Sequence, residues 1–224
     1  MGSRIAACAA DDARIFDVRP LVRDADFTAL EHHVRHADTP VVLVDFTSDA
    51  GAAHAIIAAE ALKIAVLVGS TGLGDDTLHR AHHAAQRIPV LVAPNTSIGV
   101  AVLRAAVDLA ARHLAHRADV NLFEAHHATK KDSPSGTAKL LCTTVRNRGV
   151  NHPDERNIHV VRAGTIVGSH AVHFGLTGET LEFRHDCQDR DVFARGAIDA
   201  ACWVAEQPPG LYTIDDVLGI TPPE

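Results

Sequence analysis

The sequence predicts an α/β chain whose first half builds a helix-covered parallel sheet and whose second half is of α+β type. Two observations predict it. Short, wholly aliphatic runs alternate with helical patterns through the first half, and three strand-like runs then follow one another directly. Strands that are apolar at every position need cover on both faces, which parallel sheets flanked by helices provide.

In order, Val41–Phe46 (VVLVDF) reads as the first buried strand, and an alanine-rich helix follows near 49–62. Ile64–Val68 (IAVLV) is the second strand, followed by a helix over 75–87 with Asp75 or Asp76 as its cap candidate. Pro89–Ala93 (PVLVA) is the third, and right-handed crossovers should join the three. Ile98–Ala115 carries Ile98, Val102, Ala105, Leu109 and Leu114 at helical spacing. Asp119–Phe123 reads as a strand and Pro134–Arg148 as a helix, with Pro134 in its first turn. The runs 157–167, 169–176 and 179–185 read as strands through Val160, Phe174, Leu181 and Phe183. A helix over 191–206 holds the sole tryptophan, Trp203, and the tail PPGLYTIDDVLGITPPE reads as an irregular cap that packs back.

Composition narrows the function. A net charge of −7 gives no general attraction for nucleic acid or an anionic membrane, so an anionic ligand needs a local positive cluster. No apolar run approaches the roughly 18 residues of a membrane span and no signal-peptide layout is present, so a cytoplasmic location is expected. Cys8, Cys142, Cys187 and Cys202 form no C-x-x-C pair and read as reduced thiols. Among the 16 histidines, His32–His33 and His82–His83 sit in helix-like stretches without acidic or thiol partners at ligand spacing, so no metal is expected. Arginines number 17 and lysines four, and Lys130, Lys131 and Lys139 fall within or just after one short segment. Lysine differs from arginine in that its pKa can be tuned for proton transfer.

Ligands of open parallel sheets bind at the carboxyl ends of strands. Three loops leave strands there: Asp45–Phe46–Thr47, Gly69–Ser70–Thr71–Gly72, and Ala93–Pro94–Asn95–Thr96–Ser97. The richest chemistry lies in EAHHATKKDSPSGTA, Glu124–Ala138. Imidazole and ammonium groups are proton donors tunable toward neutrality. The amides and hydroxyls of Ser135, Gly136 and Thr137, opening a helix, suit a carboxylate-sized anion. Together they describe a site for a carboxylated substrate that needs a proton.

That segment closely resembles the E-x-H-H-x-x-K-x-D-x-P-S-G-T-A signature of dihydrodipicolinate reductases, enzymes of the lysine pathway. VDFT (44–47), VGSTGL (68–73), APNTSIGV (93–100), VRAGTIVGSH (161–170) and RDVFARGA (190–197) follow in the family's order. The resemblance implies a Rossmann-like dinucleotide-binding domain, here 1–97 with 191–224, and an α+β substrate-binding and tetramerisation domain over 98–190. It implies NADH or NADPH as hydride donor, a cyclic imine dicarboxylate as substrate, and a homotetramer. Carried over by position, His126 resembles the general acid, Lys130 its catalytic partner and His127 a substrate contact, while Ser135, Gly136 and Thr137 would hold a substrate carboxylate. Gly69, Ser70, Thr71 and Gly72 would lie beside the nicotinamide, with Phe46, Ala93, Asn95 and Thr96 nearby.

The chain departs from the pattern in four places. No G-x-x-G-x-M-G loop is present, and MGSRIAACAADDARIF resembles a region already past it, near the family's second strand; the first domain therefore reads as truncated, with weakened nucleotide binding. Thr96 replaces a phenylalanine, Ala163 replaces a glycine, and the stretch before Arg162 is short. Three functions are consistent with this: a reductase, a non-redox dehydratase, cyclase or isomerase that binds no nucleotide, and a non-catalytic oligomeric binding subunit.

Overall fold

A computed structural model describes residues 1–21, 27–114, 116–149 and 158–220, with the side chains of 27–29 outside the description. The expected helix end at 115, the stretch 150–157 before Arg162 and the last four residues of the tail lie outside the described residues. The chain separates into two compact units, Met1–Ser97 with Asp191–Glu224, and Ile98–Arg190.

The first unit is a Rossmann-like domain. Its strands β1 (Val42–Asp45), β2 (Ala65–Val68), β3 (Pro89–Val92) and β8 (Gly210–Tyr212) lie in that order, every neighbouring pair parallel. Successive residues feed opposite cores, which explains the uninterrupted apolar runs. Val66, Val68 and Val90 pack with Ala52, Ile56 and Ala59 of α3 (Asp49–Leu62) and Ala81 of α4 (Asp75–Ala84). Ala65, Leu67 and Leu91 pack with Ala197, Ala200 and Val204 of α7 (Asp191–Val204), and Ile5 of α1 (Gly2–Ala10) joins them.

Several details differ from expectation. The N-terminal segment, given no element from sequence, is the helix α1: its alanines carry high helix propensity, and Ala9 is buried. Gly74 is the N-cap of α4, and Asp75 and Asp76 occupy the first turn, where they favour the helix through its dipole. The tail supplies β8 and the short helix α8 (Ile214–Val217), because Leu211 and Tyr212 find ladder partners in Val90 and Leu91.

In the second unit, α5 (Ile98–Leu114) and α6 (Gly136–Arg146) cover one face of a mixed sheet of order β5 (Ile158–Arg162), β4 (Asp119–His126), β6 (Gly168–Leu176) and β7 (Glu179–Cys187). β4 pairs parallel with β5 and antiparallel with β6, and β6 pairs antiparallel with β7. Val120 and Leu122 point to the helices with Val172 and Phe174, and Leu103, Val107, Leu141 and Val145 meet them. α5 is apolar on two sides. Its buried stripe is Val100, Leu103, Val107 and Ala111, while Ile98, Val102 and Leu109 of the stripe that marked the helix in sequence are exposed. α6 begins two residues after Pro134, with Ser135 as N-cap; Pro134 lies outside the first turn.

Candidate active site

β4 alternates strictly in burial, so Glu124 and His126 fall on the same side as the core residues Val120 and Leu122. Two polar side chains therefore enter the interior at the carboxyl end of the strand, where the apolar layer gives out. β6 does the same with His170, which pairs across the ladder with Glu124. β5 contributes Arg162, opposite His126.

The Glu124 carboxylate is the centre of the cluster and its side chain is wholly buried. Oε1 accepts from the Ser135 backbone N–H at 3.1 Å and from Arg162 Nη2 at 2.9 Å. Oε2 faces His126 Nδ1 at 3.3 Å and His170 Nε2 at 3.8 Å. Burial by itself disfavours the charged carboxylate, but the neighbouring His126, Ser135 and Arg162 outweigh it and hold Glu124 well below the usual carboxylate range. His170 is pushed down to about 4, first by burial and then by the neighbouring His126, so its ring is neutral at pH 7. The rings of His126 and His170 meet edge to face, their centroids 5.1 Å apart.

The other motif residues surround this cluster. Ser135 is buried; its hydroxyl caps the Ala138 amide at 3.1 Å and contacts His170 Nε2 at 3.0 Å. Its side chain is thus committed inside the unit. The exposed Gly136 and half-buried Thr137 open α6, and a side-chain carbon at Gly136 would meet nothing within 4 Å. Lys130 pairs with Asp132 at 2.8 Å. His127 contacts Thr129 Oγ1 through Nδ1 at 2.8 Å and Arg190 through Nε2 at 3.1 Å. Arg162 also donates to the Asp132 carbonyl at 2.8 Å, fixing the loop between β4 and α6.

Glu124, Arg162, Arg190 and His170 were not singled out from sequence. The first three stand in quoted motifs and the fourth closes VRAGTIVGSH, but only strand pairing brings them together. Glu124 and His126, two apart in an alternating strand, were the available signal. Glu124, His126 and His170 offer ligand atoms within 4.8 Å of one another, the geometry of a metal site. The guanidinium on the same carboxylate and the serine on His170 make it a hydrogen-bonded cluster instead.

In the first unit, Asp45 ties the first two strand-end loops together. Its carboxylate accepts from Ser70 Oγ at 2.5 Å and from the Thr47 hydroxyl, and Ser70 Oγ in turn accepts from the Thr47 amide at 2.8 Å. Phe46 lies flat against Gly69, where a Cβ would come within 2.2 Å of the ring. Thr71 and Gly72 are exposed, Gly72 with φ 70° and open space above it. Ala93 is buried, and Asn95 Oδ1 accepts from the Ser97 amide at 2.9 Å. Thr96 is fully buried, its hydroxyl donating to the Phe193 carbonyl at 2.7 Å.

Comparison with known proteins assigns the family. A family model described as dihydrodipicolinate reductase, N-terminus, matches residues 3–96, and one described as dihydrodipicolinate reductase, C-terminus, matches 99–218. The chain belongs to the dihydrodipicolinate reductase family. The 4-hydroxy-tetrahydrodipicolinate reductase of Syntrophobacter fumaroxidans is 42% identical, over 84% of this chain and 77% of that protein. The one from Alkaliphilus metalliredigens is 33% identical over 99% of this chain and 95% of its own. Among solved structures, the dipicolinate-bound dihydrodipicolinate reductase from Paenisporosarcina sp. TG-14 shares the fold with a TM-score of 0.77, covering 95% of this chain and 92% of that one at 20% identity. This family member is accordingly an enzyme of reductase type, and no helix among its described residues is long and apolar enough to cross a membrane.

Proposed function

We propose that this chain reduces a cyclic imine dicarboxylate of the 4-hydroxy-tetrahydrodipicolinate class, in lysine and diaminopimelate biosynthesis, with His126 as proton donor. The observation that carries the reading is a buried imidazole beside an ionised carboxylate that also grips the opening turn of α6. A solvated loop has no use for that arrangement, and neither has a purely structural subunit. The amides of Gly136 and Thr137, at the positive end of the helix dipole, would receive a ring carboxylate. Lys130, held by Asp132, adds positive charge beside it, and His127, oriented by Arg190, offers a second polar contact. As the ring gains electrons, the doubly protonated His126 gives it the proton on Nε2 and is left as the neutral ring with its proton on Nδ1.

NADH or NADPH fits the first unit at the nicotinamide end. Thr71 and Gly72 present exposed backbone at the carboxyl end of β2, with room above Gly72 for a flat ring. Phe46, Gly69, Ser70, Ala93, Asn95 and Thr96 would border the ring, Phe46 packed on Gly69 and Ser70 held by Asp45. Bound there, the nucleotide supplies the hydride.

The sheet face of the second unit turned away from α5 and α6 supports a homotetramer. Phe123 and Val161 are exposed on it, 43% and 50%, with Ala125 and Ala171 alongside in the ladder. Calorimetric titration tests the binding half of the reading. Dipicolinate should bind the wild type and bind at least tenfold more weakly to His126→Gln or Lys130→Ala, and NADH or NADPH should bind below millimolar concentration. Silence toward both nucleotides at millimolar concentration would favour the non-redox homologue.

A further inference from the structure

We propose that Glu124 is the positioning residue of this site: one carboxylate locks His126 in the Nδ1–H form through Oε2 and sets the opening turn of α6 through Oε1. The kinetic part of this inference rests on the reductase reading; the tautomer part does not.

The argument begins with buried polar atoms. Glu124 Oε2 and His126 Nδ1 are both buried, lie 3.3 Å apart, and have no other hydrogen-bond partner. A buried donor or acceptor left unpaired costs about 1–3 kcal/mol. Both are relieved together only if Nδ1 carries the proton and points at Oε2. The contact falls short of a linear hydrogen bond here, as catalytic contacts often do before a ligand closes them up. The opposite tautomer would set a bare ring nitrogen against a carboxylate, two acceptors face to face.

That choice fixes which nitrogen does chemistry. With Nδ1 committed, the proton is exchanged at Nε2, which lies beside Gly168. A Cβ at Gly168 would stand 3.2 Å from Nε2 and obstruct its approach, so the glycine keeps that nitrogen open.

Oε1 serves a second purpose. It takes the Ser135 amide, while Arg162 on the same oxygen offsets the buried charge and anchors the loop at Asp132. The proton donor and the carboxylate-binding turn are thereby set by one rigid group, so their spacing does not depend on the conformation of the intervening loop. His170, neutral and 3.8 Å from Oε2, fills the remaining side without competing for charge.

Long-range proton–nitrogen spectra of protein labelled at its histidine ring nitrogens test this near pH 7.5, with the His126 signal assigned by its loss in His126→Gln. The wild type should show His126 as the Nδ1–H tautomer. In Glu124→Gln the ring should move to a mixture or to the Nε2–H form, and kcat should fall roughly 100-fold with KM changed less than threefold. An Nε2–H wild type, or a Glu124→Gln protein with unchanged tautomer and kcat, would overturn the proposal. Should Glu124→Gln fail to fold, the wild-type tautomer decides alone. A locked Nδ1–H ring in a wild type that turns nothing over would uphold Glu124 and sink the reductase reading.

Discussion

The proposed chemistry rests on a few buried polar side chains whose cost must appear in stability. His170 is the clearest case. Its native pKa, about 4, lies below the ordinary 6.5, so between those values the unfolded chain binds a proton that the native ring refuses. Stability is therefore highest above 6.5 and falls as pH drops toward 4. Between pH 7 and pH 5 the loss assignable to this ring is about 2 kcal/mol. Urea unfolding at the two pH values should show it, and His170→Gln should flatten the difference; an equal slope in the variant would refute the assignment. His126, His127 and Lys130 could be named as candidates because one contiguous segment holds them. Glu124, Arg162 and His170 were not, because strands far apart in sequence supply the carboxylate's partners.

Secondary structure was legible wherever one pattern dominated. β2 and β3 are aliphatic throughout, and α3 is alanine-rich along its length. The misreadings have physical causes. α5 is apolar on two sides, so spacing identifies a helix without saying which side is inward. β8 is three residues long in a proline-rich tail and exists only through its ladder with β3. α7 shows what tertiary contact adds: a Cβ at Gly196 would sit 1.8 Å from the Thr96 carbonyl oxygen, a backbone atom with no freedom to retreat. Gly196→Ala should cost at least about 2 kcal/mol, read as a lowered urea midpoint, although alanine is the better helix former. An unchanged midpoint would mean that the loop ending β3 does not pack on α7 this way.

For the molecule as a whole, the two-part design of a sheet domain and an α+β domain was legible from the order of patterns, and the family from its signature. The homotetramer was named from the family resemblance alone, and the sheet face with an exposed phenylalanine on which copies would pack is recognisable only once strand registers are known. If copies pack through that face, light scattering should give about four times 23.9 kDa for the wild type, and Phe123→Lys should lower the mass. A wild-type monomer would remove the tetramer from the account. The most direct test is turnover. Freshly generated 4-hydroxy-tetrahydrodipicolinate is added to enzyme with NADH or NADPH, and loss of nucleotide absorbance is followed for the wild type and for His126→Gln. The account predicts steady oxidation by the wild type and a rate roughly 100-fold or more lower in the variant, which should still bind dipicolinate, if weakly. Equal rates in the two proteins, or none in either at millimolar nucleotide, would contradict it.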